Sequence, residues 1–203
     1  MNSALQQFRT NLLRARELGT LALAMAKITT SAIDVSDMWR AQIVLGVSAL
    51  DYLIHELTRI GMIEISKGSR LKTDSFSKFK LPLDAIEHGF NGQPHEMWLG
   101  ETVREMHSSF SFQQPDKIAD AIRLISHAKL WDEVGKELSM PAKEVKLRLG
   151  LIVDRRNKIA HESDMDPTNP GFRWPISETM ANDSLDFIER IAEAICKIVI
   201  LCP

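Results

Sequence analysis

The chain has 203 residues, of which 44% are apolar and 26% charged, and its formal net charge is −2 at pH 7. A chain of this size buries a hydrophobic core, and its composition is that of an ordinary globular protein. The near-neutral charge excludes a basic field over the whole surface that would attract nucleic acid without specificity. Any contact with nucleic acid must therefore be local.

The sequence also lacks the marks of a membrane or exported protein. No stretch is apolar over the roughly 18 residues that a membrane span needs, and the N-terminal segment lacks the apolar core of a signal peptide. The two cysteines, Cys196 and Cys202, lie close together in a helical context, which favours reduced thiols over a disulfide framework. We therefore expect a cytoplasmic protein with no membrane partner.

Apolar residues at helical spacing begin at the start of the chain, whereas strand alternation is almost absent. Ser3 and Gln6 form a capping-box pattern that begins a helix over residues 3–27. After a break at Thr29–Val35, a second helix is predicted over residues 36–65. Its apolar stripe consists of Trp39, Ile43, Val47, Leu50, Ile54 and Leu57. The sequence thus predicts an all-α fold with this second helix at its centre.

Residues 66–138 show weaker patterns. The segment 66–80 contains five lysine or arginine residues against one aspartate and has no helical stripe, so we expect an exposed basic loop. Short helices are predicted over residues 83–89, 94–109 and 115–126. We interpret residues 66–138 as a helical elaboration inserted between the core helices of one domain that covers residues 1–203.

Two further core helices are predicted near the C-terminus. Ser139 and Pro141 are start signals for a helix over residues 139–162. Three prolines then fall within the following loop, and a helix cannot continue through them. Ser177 caps a last helix, over residues 177–201, with one apolar face.

The sequence RRNKIAH, residues 155–161, lies at the end of the core helix predicted over residues 139–162. Asn157 and His161 are four residues apart and share a face, whereas Arg156 is five residues before His161, about 140° around the axis, so the three cannot all point one way from a straight helix. Because arginine is long and the helix ends here, the three side chains can still converge at the C-terminal tip. Cleaving RNA without a metal needs a base for the 2'-OH, an acid for the leaving 5'-oxygen and a cation for the charge that builds on phosphorus. Histidine supplies acid or base near neutral pH, and a guanidinium binds phosphate oxygens in pairs.

A purely structural interpretation uses the same residues. Asp154 and Lys158 then form a surface pair one turn apart, and the two arginines are solvated. His161 is then a C-terminal helix residue that the helix dipole favours. The spacing R-x-x-x-x-H alone is matched by many unrelated helices. The choice therefore depends on the rest of the chain.

RNKIAH, followed by a proline-rich loop and one more helix, resembles the R-N-x-x-x-H signature of the HEPN superfamily. The second helix, WRAQIVLGVSALDYLIHEL, is similar to the helix that packs against the motif helix in RiboL-PSP-type HEPN proteins. The resemblance implies an all-α HEPN-like helical bundle in which Arg156 and His161 are catalytic, with Asn157 at the polar position after the arginine. Asp51 and Arg40 occupy second-helix positions where the family often has polar groups, and we expect them to support the site.

Many members of this superfamily are metal-independent endoribonucleases, so the resemblance implies RNA cleavage by a symmetric homodimer that brings two motifs together. The expected role is a toxin or an antiviral defence effector, restrained by an antitoxin or regulatory protein. HEPN toxins silenced by nucleotidyl transfer carry a tyrosine two residues after the histidine. Here Glu162 and Ser163 follow His161, so that silencing is not expected. The alternative is a non-catalytic HEPN-like module that dimerises or binds a partner protein.

Four more side chains are candidate RNA contacts: Arg155, Lys158, Arg173 and Trp174. The last two lie in the loop Ser163–Pro175, which we expect either to border the cleft or to be a plain connector. No cofactor and no metal site are expected. The histidines that bracket one short region, His88, His95 and His107, fit no compact ligand spacing.

Overall fold

The computed structural model describes residues 1–29 and 33–201, apart from the side chains of His88, His95 and Leu201. These residues form nine α-helices and no β-strand. The helices are α1 (Asn2–Ile28), α2 (Ser36–Ser66), α3 (Asp74–Ser77), α4 (Leu83–Phe90), α5 (His95–His107), α6 (Pro115–Arg123), α7 (Leu130–Leu138), α8 (Ala142–Glu162) and α9 (Glu178–Leu201). The predicted all-α fold is confirmed for this part of the chain.

Helix α2 lies at the centre of the bundle. It packs against α1, α5, α6, α8 and α9. The stripe predicted from the sequence is buried along most of its length, from Ile43 to Leu57, and joins one hydrophobic cluster with residues of the surrounding helices. Because apolar residues recur around most of its circumference, α2 is covered on several sides rather than along one face.

Helix α8 begins at Ala142, later than the predicted start at residue 139. Ser139 instead ends α7 in the left-handed conformation, with φ 52°, and Pro141 is the N-cap of α8. Helix α7 was not predicted; it packs against both α8 and α9, with Trp131 and Val134 buried. Helices α7 and α8 are joined by a tight connection, because Ser139 reverses the chain between them.

The prediction of an exposed basic loop at residues 66–80 is wrong at Arg70, which is buried. Its guanidinium pairs with Glu64 at 2.9 Å and donates to the carbonyl oxygens of Ile125 and Val199, at 3.3 and 3.0 Å. Five N–H donors allow one arginine to satisfy groups from several elements at once. Arg70 therefore ties this segment to the core instead of extending into solvent.

Some predictions fall outside what the structure describes. They are Cys202, part of the break at Thr29–Val35, and the side chains of His88 and His95. Cys196 is a free and buried thiol, and burial raises its pKa to about 12. Across the described residues, every helix is too short or too polar to cross a membrane.

His107 is buried in an aromatic cluster at the end of α5. Its ring centroid lies 5.2 Å from that of Phe112, 5.8 Å from that of Phe79 and 6.3 Å from that of His55. Burial, with a smaller contribution from the neighbouring His55, lowers the pKa of His107 to about 4. The imidazole is therefore held in its neutral form at physiological pH.

We predict that this burial makes the fold sensitive to mild acid. The unfolded chain binds a proton at His107 near pH 6.5, whereas the folded chain binds it only near pH 4, so stability falls as the pH falls through this window. His107 lowers the free energy of unfolding by at most about 1.4 kcal/mol for each pH unit in this window. Urea midpoints measured from about pH 7 to pH 5 should decline less steeply for His107→Gln than for the wild type. Equal slopes would contradict the prediction, and the exposed His127→Gln should behave as the wild type.

Candidate functional site

Helix α8 presents the RRNKIAH motif at its C-terminal end. Its buried stripe, Val145, Leu149, Ile152 and Val153, anchors the first part of the helix in the core. Residues 155–159 are half-buried, and Ala160 and His161 are exposed. The motif thus crosses from the edge of the core to the surface within two turns, which leaves His161 accessible to a substrate.

Two consecutive residues in the left-handed conformation end α8. Ser163 has φ 53° and Asp164 has φ 60°. The backbone N–H of Asp164 returns to the carbonyl oxygen of Lys158 at 3.0 Å, which satisfies one of the carbonyls that a helix end leaves open. Non-glycine residues adopt this conformation at a cost, although aspartate tolerates it better than most. The turn carries the Asp164 side chain back towards the bundle.

The Asp164 carboxylate is completely buried between two arginines. Its Oδ2 accepts from Nε of Arg40 at 2.7 Å and from Nη2 of Arg155 at 2.8 Å. Arg40, itself buried, also donates to the Ser36 hydroxyl at 2.7 Å. We refer to Arg40, Asp164 and Arg155 as the Asp164 cluster. It joins the start of α2 to the end of α8, so the two helices are antiparallel at this point.

The charges of the Asp164 cluster are balanced by a second carboxylate. Arg40 also lies 3.6 Å from Asp37, so the guanidinium groups of Arg40 and Arg155 face two carboxylates, those of Asp164 and Asp37. Burial lowers the pKa of Arg155, and the Arg40 charge acts in the same direction, while Asp164 opposes both. The cluster therefore fixes the two guanidinium groups in position and leaves no large uncompensated charge beside the motif.

The loop after α8 is fixed to the same cluster. The carbonyl oxygen of Trp174 accepts from both Arg40, at 2.8 Å, and Arg155, at 3.2 Å, and its N–H donates to the Asp164 carbonyl oxygen at 2.9 Å. Residues Met165 and Arg173 form an antiparallel bridge further along. The loop therefore closes on itself like a short hairpin and returns to α9 in a defined position.

Three predicted RNA-contacting side chains take different positions around this loop. The Nζ of Lys158 lies 5.2 Å from the centroid of the Trp174 ring, a cation–π geometry on the surface of the motif helix. Arg173 instead pairs with Asp37 and Asp34 at the start of α2, and its hydrogen bond with Asp37 is the main cause that raises its pKa. The Arg173 charge is thus directed towards acidic partners, whereas Lys158 and Trp174 form one surface.

The two neighbouring arginines of the motif have different partners. Arg155 belongs to the Asp164 cluster, whereas Nη1 of Arg156 donates to Oδ1 of Asn157 at 2.9 Å. The Nε of Arg156 is buried without a hydrogen-bond partner among the described residues. Asn157 therefore holds the Arg156 guanidinium, and His161 follows Arg156 by about 7.5 Å along the helix axis and about 140° around it.

Of the two predicted supporting residues, Arg40 contacts the motif and Asp51 contacts a different segment. Oδ1 of Asp51 accepts from the N–H of Phe112 at 2.6 Å and lies 4.0 Å from Nε2 of His55. Asp51 is about 16 Å beyond Arg40 along the axis of α2. The contacts of Asp51 therefore fix the loop between α5 and α6 rather than the Asp164 cluster.

Sequence reasoning missed Asp164 as a site residue. It lies in the proline-rich loop, where no periodic pattern applies, and its partner Arg40 is 124 residues away. A weak signal was present, since an aspartate directly after a helix end tolerates the left-handed conformation. Among the described residues, no group of three or more histidine, cysteine, aspartate or glutamate side chains is arranged to hold a metal ion.

A helical bundle with an R-N-x-x-x-H sequence at an exposed helix end is the arrangement expected of a HEPN domain. The family model described as RiboL-PSP-HEPN matches residues 10–200, and the chain therefore belongs to the RiboL-PSP-HEPN family. This match covers all of the elements described above from within α1 to the end of α9. Comparisons with curated proteins and with solved structures returned no match.

We predict that Asp164→Asn destabilises the fold by on the order of 3 kcal/mol, because removing one member of a buried ion pair leaves the other charges uncompensated. The free energy of unfolding in urea measures the effect. Glu162→Gln is the matched control, because it neutralises an exposed carboxylate two positions earlier and should change stability by no more than about 0.5 kcal/mol. Equal stabilities of the two variants would show that the Asp164 cluster does not support the fold.

Proposed function

We propose that the chain is a metal-independent endoribonuclease that cleaves RNA through the substrate's own 2'-OH. The observation that carries the proposal is the motif end of α8, where His161 is exposed and Arg156 is held by Asn157. Membership of a family in which RNase activity is frequent supports it. The motif contains an imidazole, a guanidinium and an amide, and these groups suffice for proton transfer and charge stabilisation.

The proposed reaction assigns one role to each group. A histidine takes the proton of the 2'-OH, the 2'-oxygen forms a bond to phosphorus, and the bond from phosphorus to the 5'-oxygen breaks. A second histidine gives a proton to the departing 5'-oxygen, so the products are a 2',3'-cyclic phosphate and a 5'-OH. Arg156 binds the phosphate oxygens as their negative charge increases, and Asn157 keeps the Arg156 guanidinium in position.

The reaction needs an acid and a base at the same time, and each motif contains one histidine. We infer that a symmetric homodimer provides the second, with its two-fold axis near His161. Exposed leucines support this surface, because Leu147 and Leu151 are 62% and 61% exposed and lie on the same side of α8 as His161. Leucines exposed to this extent next to a polar site are typical of surfaces covered by a partner.

Lys158 and Trp174 are the best-supported RNA contacts. Their cation–π contact forms a surface one turn before His161, on which a base stacks and a phosphate finds a cation. Arg155 contributes its charge from within the Asp164 cluster, so it acts on the substrate at longer range. Arg173 contributes less, because Asp37 and Asp34 already compensate its charge.

An endoribonuclease of broad specificity harms the cell that makes it unless it is restrained. We therefore extend the proposal to a cytoplasmic toxin or antiviral defence effector controlled by an antitoxin or regulatory protein. The alternative is a non-catalytic module of the same family, in which Arg156 and His161 serve a structural or partner-binding role. The exposed position of His161 is compatible with the catalytic proposal, which requires the imidazole to be accessible to a substrate.

The catalytic proposal predicts that purified protein cleaves single-stranded RNA in the presence of EDTA and leaves 2',3'-cyclic phosphate ends. His161→Ala should lower the cleavage rate by about a hundredfold or more, because general acid–base catalysis contributes at least that factor. Arg156→Lys should also lose RNA cleavage, because an ammonium group cannot bind two phosphate oxygens as the guanidinium does. His127→Ala, which removes another exposed histidine, is the control and should cleave normally.

Three results would count against this chemistry. They are cleavage of DNA, cleavage of 2'-O-methyl RNA, and activity that EDTA abolishes and Mg²⁺ restores. An inactive wild type that still dimerises and captures a partner protein would support the non-catalytic alternative instead.

The dimer makes a separate prediction. Leu151→Lys should convert a dimer at micromolar concentration into a monomer and should abolish cleavage, because the dimer contact would bury the lysine charge without a partner. Sedimentation velocity and RNA cleavage measure the two effects. Leu13→Lys is the matched control, since Leu13 is 57% exposed on α1. A wild-type protein that sediments only as a monomer would refute the homodimer.

A further inference from the structure

A groove of about 500 Å³ lies between α6 and the loop that precedes it. Its walls include Phe110, Phe112, Gln114 and Lys117. Phe110 is 56% exposed, although a phenylalanine in a short polar segment gains nothing from contact with water. The groove has the size of a ligand site and combines an open aromatic ring with an exposed cation.

One wall of the groove is hydrogen-bonded to the motif helix. Nε2 of Gln114 donates to Oδ1 of Asp154 at 3.2 Å. Asp154, Lys158 and His161 follow one another at three- to four-residue spacing, so they share one side of α8. The distance from Asp154 to His161 is about 10 Å along the helix axis. An extended strand of a few nucleotides covers that distance.

The loop that carries Phe110 is held in place from beneath. The N–H of Phe112 donates to Asp51 at 2.6 Å, and the Phe112 ring packs against His55 with a centroid distance of 4.5 Å and a tilt of 44° between the rings. The Phe112 ring also meets His107 edge-on. Because these contacts fix the backbone beside Phe110, displaying its ring to a ligand costs little conformational entropy.

The groove is lined by one cation and one carboxylate, Lys117 and Asp120. Lys117 is exposed at its rim. The carboxylate of Asp120, on the same helix, pairs with Arg123 at 2.7 Å, so its charge is compensated locally. An aromatic ring beside a free cation and an amide is the combination that binds a nucleobase together with its phosphate.

We propose that this groove is a nucleobase subsite for single-stranded RNA, in which Phe110 stacks on a base and Lys117 contacts the adjacent phosphate. The inference rests on the proposed function, since it places the subsite on the same strand that His161 acts on. It also assigns a role to Asp51, which positions the Phe112 backbone and thereby Phe110. RNA, rather than a peptide, is favoured because Gln114 in the groove wall bonds to Asp154, which lies on the same side of α8 as His161.

The test measures binding to a single-stranded 2'-O-methyl RNA of about ten nucleotides, which covers the usual site size. Fluorescence anisotropy should show that Phe110→Ala raises the Kd about tenfold, while Phe110→Trp preserves binding. Lys117→Ala should lower the slope of log Kd against log salt by about one. Phe90→Ala is the matched control, because Phe90 is 86% exposed on α4, and it should bind as the wild type does.

The outcomes separate this inference from the proposed function. If the wild type cleaves RNA and Phe110→Ala binds as tightly as Phe90→Ala, the subsite is refuted and the endoribonuclease stands. If the wild type neither cleaves nor binds RNA, both fail. A duplex of the same sequence that binds as tightly as the single strand would also refute the subsite, because paired bases cannot stack on Phe110. A change of oligomeric state in Phe110→Ala would assign the groove to contact between copies of the chain.

Discussion

The site depends on one buried carboxylate. Asp164 has no contact with solvent, and it is stable as a charged group only because Arg40 and Arg155 both donate to it. The same two arginines hold the carbonyl oxygen of Trp174. One interaction therefore determines where α2 begins relative to the end of α8, and how the loop returns to α9. The Asp164 cluster thereby helps to fix the position of the motif at the end of α8.

A buried ion cluster of this kind is weak evidence for stability, because the desolvation of three charges offsets much of their attraction. Its clearer effect is geometric. The cluster engages Arg155 and leaves the next arginine, Arg156, to Asn157, so two adjacent and identical side chains serve different purposes. An apolar contact would hold the helices together equally well, but it would not orient a guanidinium.

Local patterns predicted the parts of this structure that depend on local physics. The four long helices follow from apolar spacing. The serine signal holds at Ser177, whose Oγ accepts from the Met180 N–H at the start of α9, but not at Ser3 or Ser139. Helix α7 was missed although Trp131, Val134 and Leu138 have helical spacing, because nine residues between two turns form a short window. Asp164 and Arg70 were missed for a different reason. Each is a polar residue in an irregular segment, and its partners are far away in the sequence. The spacing of neighbouring residues cannot predict such a pairing.

On the proposed function the chain binds a polyanion, and its near-neutral charge limits the sources of that affinity. Release of counterions by many lysines and arginines is the usual source of affinity for RNA, and a net charge of −2 restricts that source to a few groups. Stacking acts on any unpaired base and depends little on charge, so the proposal assigns much of the affinity to aromatic rings. Trp174 lies beside Lys158 at the end of α8, and Phe110 and Lys117 line the groove beside α6. On this proposal the chain prefers single strands to duplexes, because only unpaired bases present a free face to these rings.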